Sequence, residues 1–520
     1  MNFRNRFCAW LMLWTRLMLW TSLGVLALER VSQAQPSYGG SRPVTNATEL
    51  LPFNFEAATL VQAYAGNLIA NGGTNINANG VAARLTGCLS HLYNTLGATS
   101  FVDAVLLPTG WNLPGTNPIS LLGYRGYGTN VTQTTNGYYF PSPSSLEFWG
   151  LTNVGPYIGV AITYASTTNF QATGYRYLWN YSHANNYNAG SRLQLGFNSA
   201  TLYGWTRDSG YAQSLPMVSR GYSGATGIGQ GAYMLDEQTR NLFVQSDGTN
   251  ILAYVDGLSC LVDTAGNQNC QANCTRISAG YRDDNNHWFI GTIKWWFVFN
   301  RPMTSNDNVR IDEAMRMLEP VTDIVVIGDS LSEFSSISPN WPSREWSAEI
   351  WHAAGWPADW RIHNHAYSGW TAATQMGAIT NTLWHRRPWT PNRKGHAMIC
   401  LGVNDIGNGG TVAATVTAVS NIYLYARSLG YVTHCITGPP LGTSATNYSA
   451  GKAANLLSYN VALRNMFTNQ PYLVNYLWDM QTNITNPNDT LQLYDGLHTT
   501  LAERRRIGQI IGTNRVLWDR

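Results

Sequence analysis

At 520 residues the chain is longer than one hydrophobic core usually serves, so two domains behind a leader segment are expected. Apolar residues make up 44% and charged residues only 12%, which excludes a disordered chain and fits sheet-rich extracellular proteins, whose surfaces are made polar by Asn, Thr, Ser and Gly. A formal net charge of +3 without a dense Lys/Arg run excludes an electrostatic footprint for nucleic acid, and no nucleic-acid partner is expected.

Residues 1–34 read as a secretory signal peptide: Arg4 and Arg6 supply the positive end, Phe7 to Leu28 the apolar stretch, and Ser32-Gln33-Ala34 the small residues before cleavage at Gln35. The mature protein is therefore expected to be secreted, extracellular or periplasmic. Arg16 interrupts the apolar stretch, so no stable membrane span is expected; an uncleaved anchor is the alternative. Cys8 lacks a lipoprotein context. Residues 35–48, rich in Gly, Ser, Pro and Gln, read as a flexible mature terminus.

Residues 49–318 read as a β-sandwich with a leading helix. The helix shows in Leu85, Cys88, Leu89, Leu92 and Leu96, ended by Gly97. Short β-like runs follow at Tyr157–Tyr164, Arg192–Phe197, Asn241–Val244 and Ile251–Val255, and Asp247-Gly248 is a hairpin signal between the last two. Cys260, Cys270 and Cys274 cluster in a Gly/Asn-rich stretch where a disulfide loop is expected. Pairing among these and Cys88 is open, and a zinc site lacks a second ligand pair. A closing strand, the turn Phe299-Asn300-Arg301-Pro302-Met303-Thr304 and a helical segment from Ser305 to Leu318 resemble the end of a laminin-G-like, concanavalin A-like jelly roll. The resemblance implies either glycan binding or a spacer role.

From Val321 the grammar alternates. Thr322–Ile327, Trp360–His365, His396–Gly402, Tyr431–Thr437 and Leu473–Trp478 read as strands; Ser343–Ala354, Thr411–Leu429 and Leu501–Val516 read as helices. This order predicts an α/β domain with a parallel sheet covered on both faces, over residues 319–520, with the boundary at Glu319-Pro320. Residues 321–520 are expected to fold on their own. Cys400 and Cys435 lie in apolar runs and read as buried thiols.

Ligands of such sheets bind beyond the carboxyl ends of the strands. The first strand ends in Ile327-Gly328-Asp329-Ser330-Leu331-Ser332, which offers a serine hydroxyl on a sharp turn. Taken alone, Gly-Asp-Ser is usually a turn or a helix cap, Asn404-Asp405 an Asx turn, and Gly369 a positive-φ position. Together and in order they are similar to the SGNH (GDSL-like) hydrolases, whose α/β domain has a flavodoxin-like fold. On that resemblance Ser330 is the nucleophile and His498 in Tyr494-Asp495-Gly496-Leu497-His498-Thr499-Thr500 the general base, with Asp495 orienting it. The same resemblance makes Ser330, Gly369 and Asn404 the oxyanion hole. Trp370 departs from the small or acidic residue the family often has there, which leaves the acyl pocket's shape open.

Each assignment also has a chemical reason. A hydroxyl is a poor nucleophile at neutral pH and needs a base within hydrogen-bond reach; the imidazole needs a carboxylate to hold its tautomer, and a developing oxyanion needs fixed donors. No metal and no cofactor are expected. His363 and His365 face one side of a strand, open to a metal-pair reading without a visible third ligand or to core packing. Asp329 and Asp405 read as hydrogen-bonding supports, a di-carboxylate glycosidase being the alternative. Trp341, Trp346, Trp351, Trp356, Trp360 and Trp370 gather near the site as packing or as a sugar platform. The expected partner is an acylated polysaccharide or another ester, cleaved by a secreted carboxylic ester hydrolase. A lipase or lysophospholipase, or a glycan-binding surface protein with a scaffold hydrolase domain, are the alternatives.

Overall fold

The structure is a computed structural model. It describes residues 53–514 apart from 79, 142–143, 150–157, 167–174, 183–191, 199–200, 208–238, 247–250, 264–275, 280–288, 333–345, 356, 358, 389–392, 447 and 485. The signal-peptide and flexible-terminus readings, the Cys260–Cys274 side chains, Trp341 and Trp356 lie outside the described residues.

Two helices open the described chain. Helix α1 (Phe55–Ala70) is capped by the Asn54 side chain, which accepts from the Ala57 N–H, and α2 (Val81–Leu96) ends at Gly97. Only α2 shows in the sequence pattern. The buried face of α1 is Ala57, Val61, Tyr64, Ala65 and Leu68, where alanines thin the apolar stripe.

Among the described residues fourteen antiparallel strands follow: β1 (Phe101–Leu106), β2 (Gly126–Thr129), β3 (Thr132–Thr134), β4 (Gly137–Phe140), β5 (Ser145–Trp149), β6 (Ile158–Ser166), β7 (Tyr175–Ser182), β8 (Arg192–Asn198), β9 (Thr201–Arg207), β10 (Arg240–Ser246), β11 (Ile251–Val255), β12 (Leu258–Asp263), β13 (Arg276–Ala279) and β14 (Gly291–Phe299). One sheet runs β12-β11-β10-β6-β14-β4-β3 with β1 also on β14; the other runs β2-β5-β13-β7-β8-β9. Phe148 of β5 meets Trp296 of β14 edge-on at 5.5 Å, so side chains of the two sheets interdigitate as in a sandwich. Strands β10 and β11 pair as the Asp247-Gly248 signal implies, from Ser246↔Ile251 to Leu242↔Val255. A second hairpin turn, Asp256-Gly257 with φ of 50° and 80°, joins β11 to β12 with the backbone of a type I′ turn. Helix α3 (Ser305–Met315) starts in a capping box of Thr304 and Asp307 and buries Ile311, Ala314 and Met315 against the β14 aromatics.

The remainder alternates: β15 (Val321–Gly328), α4 (Trp346–Ala353), β16 (Trp360–Ala366), α5 (Ala372–His385), β17 (Arg393–Cys400), α6 (Val403–Gly407), α7 (Val412–Ser428), β18 (Val432–Ile436), α8 (Ala450–Asn469), β19 (Tyr476–Trp478), α9 (Met480–Asn483) and α10 (Leu501–Gly512). The strand order β16-β15-β17-β18-β19, all parallel, is the flavodoxin-like order. Every residue of β15 is buried, because helices cover both faces. Trp346 and Trp351 are buried in α4, and Cys88, Cys400 and Cys435 are buried free thiols. Among the described residues no helix is long and apolar enough to cross a membrane.

The two parts share a buried layer of charge at the amino ends of the parallel strands. Arg316, just after α3, donates to Asp312 and to Asp323 of β15, and lies 3.6 Å from Asp256 of the β11–β12 turn. Arg240 of β10 donates to Asp256 at 3.1 Å and to the Ile362 carbonyl of β16 at 3.0 Å; Arg386 donates to the Asp256 carbonyl. Asp323 also accepts from Arg393 at 3.1 Å and lies 2.7 Å from His363 Nε2. Burial alone would raise the Asp323 pKa, but Arg316, His363 and Arg393 outweigh it and hold the carboxyl well below the usual range. Residues 51–520 accordingly form one compact unit.

Candidate active site

Four strand-end or loop segments meet at the carboxyl edge of the sheet, beside the point where β16 and β17 diverge from β15. Strand β15 stops at Gly328, and the next residues turn sharply: Ser332 N–H donates to the Asp329 carbonyl, and the Asp329 carboxylate accepts from Leu331 N–H at 3.0 Å. This turn presents Ser330. Buried side chains brace it from below. Trp346 Nε1 donates to the Leu331 carbonyl at 3.2 Å, Asn364 Nδ2 to the Ser332 carbonyl at 2.6 Å, and Gln375 Nε2 to the carbonyls of Gly328 and His365.

His498 and Asp495 share a short turn before α10, closed by a bridge between Leu493 and Thr499. The Asp495 carboxylate accepts from the His498 backbone N–H at 2.7 Å and from Leu497 N–H at 3.0 Å, and lies 2.7 Å from His498 Nδ1. With a carboxylate facing Nδ1, the neutral ring carries its hydrogen there and turns Nε2 outward as the acceptor. Ser330 Oγ stands 2.8 Å from that Nε2. Partial burial pushes the Asp495 pKa up, yet the hydrogen bonds from His498 and Leu497 outweigh it and hold the carboxyl below its ordinary range, so it stays an anion beside the imidazole. The His498 and Asp495 side chains are 23% and 38% exposed, which leaves the hydroxyl–imidazole pair open to a substrate.

Gly369 follows β16 with φ of 77° and open space where a side chain would stand. Asn404 opens α6 just after Gly402, whose φ is 104° and where a Cβ would lie 2.5 Å from the Tyr459 ring. The Asn404 amide donates one hydrogen to the Trp370 carbonyl at 3.1 Å; a primary amide has a second to offer an oxyanion. The structure thus joins Ser330, His498 and Asp495 in one hydrogen-bonded chain and ties Asn404 to the segment that carries Gly369.

Other candidates fall elsewhere. His363 is engaged with Asp323 in the buried charged layer, and His365 is buried near Arg386; burial drives both imidazoles well below the usual range. Among the described residues no group of three His, Cys, Asp or Glu side chains is arranged to hold a metal. Trp370 is half-buried and stacks on Tyr367 at 4.1 Å. Sequence reasoning missed Gln375 and Tyr494, the latter 45% exposed and stacked on His498 at 5.8 Å. Their position beside the candidate site segments was the signal to find them.

The parallel sheet, in flavodoxin-like strand order, carries the Ser330–His498–Asp495 hydrogen-bonded chain at its carboxyl edge. No family model and no curated protein matches the sequence. Solved structures similar to the chain include a G-D-S-L family lipolytic protein from Veillonella parvula, at 14% identity, covering 37% of this chain and 96% of that one with a TM-score of 0.31. A carbohydrate acetylesterase family member from Sinorhizobium meliloti aligns at 15% identity over 38% of this chain and 100% of its own, TM-score 0.32. The botulinum neurotoxin serotype D binding domain aligns at 9% identity over 43% of this chain and 53% of its own, TM-score 0.33.

Proposed function

We propose that the chain is an exported serine esterase, with its chemistry in residues 319–520. The observation that carries this reading is the continuous chain from Ser330 Oγ through the His498 ring to the Asp495 carboxylate, at 2.8 and 2.7 Å. In the proposed reaction Ser330 Oγ attacks the ester carbonyl while its proton passes to His498 Nε2. Asp495 stabilises the imidazolium. The N–H groups of Ser330 and Gly369 and the second Asn404 hydrogen receive the oxyanion. His498 then gives the proton to the leaving alcohol, and water, activated by the same base, frees the acid from Ser330.

The proposed substrate is an O-acetylated or similarly acylated polysaccharide, which the β-sandwich of residues 49–318 holds. Aromatic faces beside the site, the half-buried Tyr367 with Trp370 and the exposed Tyr494 with His498, support a sugar-stacking surface. Turnover of p-nitrophenyl acetate by the full chain and by Ser330→Ala tests the esterase reading. Ser330→Ala is expected to lose nearly all activity; activity that survives it, or that a chelator abolishes, would overturn the reading.

A further inference from the structure

The two donors proposed to join the Ser330 N–H around an oxyanion stand on different segments, Gly369 after β16 and Asn404 at the start of α6. Something must hold these segments in register, because a donor displaced by about 1 Å forfeits much of its effect. We propose that Asp405 is a positioning residue that locks the Gly369 segment onto the Asn404 helix. This rests on the esterase reading of the site.

The Asp405 carboxylate accepts from the Ala372 N–H through both oxygens, at 3.0 and 3.3 Å. Ala372 is the first residue of α5, where a backbone N–H has no partner within its own helix. Its neighbour Asn404 simultaneously donates to the Trp370 carbonyl at 3.1 Å. Consecutive side chains of one short helix therefore grip the first and third residues after Gly369. The other end of the segment is tied back to the nucleophile strand, since Tyr367 N–H donates to the Gly328 carbonyl and Trp370 N–H to that of Tyr367. Gln375, one turn into α5, reaches the Gly328 carbonyl as well. Asp405, with Asn404, links the α6 side of the site to this assembly, and its bond reaches the first N–H of α5. Burial raises its carboxyl pKa above the ordinary value, and the Ala372 hydrogen bond offsets this only in part.

The test uses the full chain with Asp405→Asn, Asp405→Ala and Ala372→Pro. Asparagine keeps an oxygen that can accept from Ala372. Proline removes the N–H from the other side at a helix position that tolerates it, following an extended Thr371. Asp405→Ala and Ala372→Pro are each expected to lower kcat for p-nitrophenyl acetate about 100-fold with KM within about threefold, and the double variant to be no worse than either. Asp405→Asn should stay within about fivefold of the wild type, the acceptor being retained. Amide hydrogen exchange across residues 367–377 should quicken in Asp405→Ala and not in Asp405→Asn. Exchange needs no turnover, so it judges the lock even if the chain proves not to be an esterase. Unchanged exchange in Asp405→Ala, full activity in Ala372→Pro, or an Asp405→Asn variant as impaired as Asp405→Ala would each overturn the proposal.

Discussion

Asp256→Asn tests whether the sandwich and the α/β part stand or fall together. The substitution keeps the positive-φ turn, which asparagine tolerates, and keeps an oxygen to accept from the Asn241 N–H now 3.0 Å away. It removes the charge that faces Arg240 at 3.1 Å and Arg316 at 3.6 Å, all with side chains 0% exposed. Breaking a buried ion pair from one side costs about 3–5 kcal/mol. With a urea slope of roughly 4 kcal/mol/M for a unit of this size, the unfolding midpoint should fall by about 1 M. The assay follows tryptophan fluorescence and ester turnover through the same titration. Because Arg240 and Arg386 tie the β10–β12 hairpins to β16 and the end of α5, both signals should shift together in the variant and coincide in the wild type. An unmoved midpoint, or fluorescence and activity losses that separate in the wild type, would refute the reasoning. By the same argument residues 321–520 alone, with Asp323, His363 and Arg393 stripped of Arg316 and Asp256, should fail to fold stably, against the expectation drawn from the sequence.

Asp495→Asn should lower turnover by up to about 10⁴-fold, less than Ser330→Ala or His498→Ala, and the Ser330/His498 double variant should be hardly worse than either single one; additive losses in kcat would contradict a unit. Stability should fall in acid through the buried histidines. His396 lies 3.0 Å from His434, which accepts from Trp478 Nε1, and burial pushes His396 down to about 3 and His434 well below the ordinary range. The unfolded chain, with histidines titrating near ~6.5, binds more protons below that pH, so stability is lost from there down towards the folded values, at up to about 1.4 kcal/mol per pH unit for each histidine. Asp103, pushed up to about 6 by burial, acts in the opposite sense over part of this window. A urea midpoint as high at about pH 5 as at about pH 7.5 would contradict the dominance of the histidines.

The parallel strands were legible from short extended stretches alternating with helical ones, clearest in the apolar Ile324–Ile327 of β15 and Ala397–Cys400 of β17, and Ser330, Gly369 and Asn404 follow β15, β16 and β17 within a few residues, where such sheets place ligands. Helices α5 and α8 escaped the pattern. Leu457, Val461 and Phe467 of α8 are exposed while Leu456, Tyr459 and Leu463 are buried, so apolar residues circle the helix and no stripe stands out; in α5 three Thr, with Gly377 and Asn381, interrupt the apolar positions. The charged layer was illegible for a different reason. Arg240, Asp256, Arg316, Asp323 and Arg393 are scattered along the chain, and Asp323 sits inside a run that reads as wholly apolar, so only tertiary pairing explains its burial. Likewise Asp405 read as a support without a partner, because Ala372 begins a helix the pattern did not reveal.

The most direct test of the serine mechanism is peptide mass spectrometry of the full chain after exposure to an alkyl fluorophosphonate. The reagent's phosphorus is attacked by an activated serine and loses fluoride. The account predicts one adduct, on Ser330, that fails to form in His498→Ala because the hydroxyl then has no base 2.8 Å away to take its proton. An adduct on another residue, no adduct at all, or labelling of Ser330 at the wild-type rate in His498→Ala would contradict it.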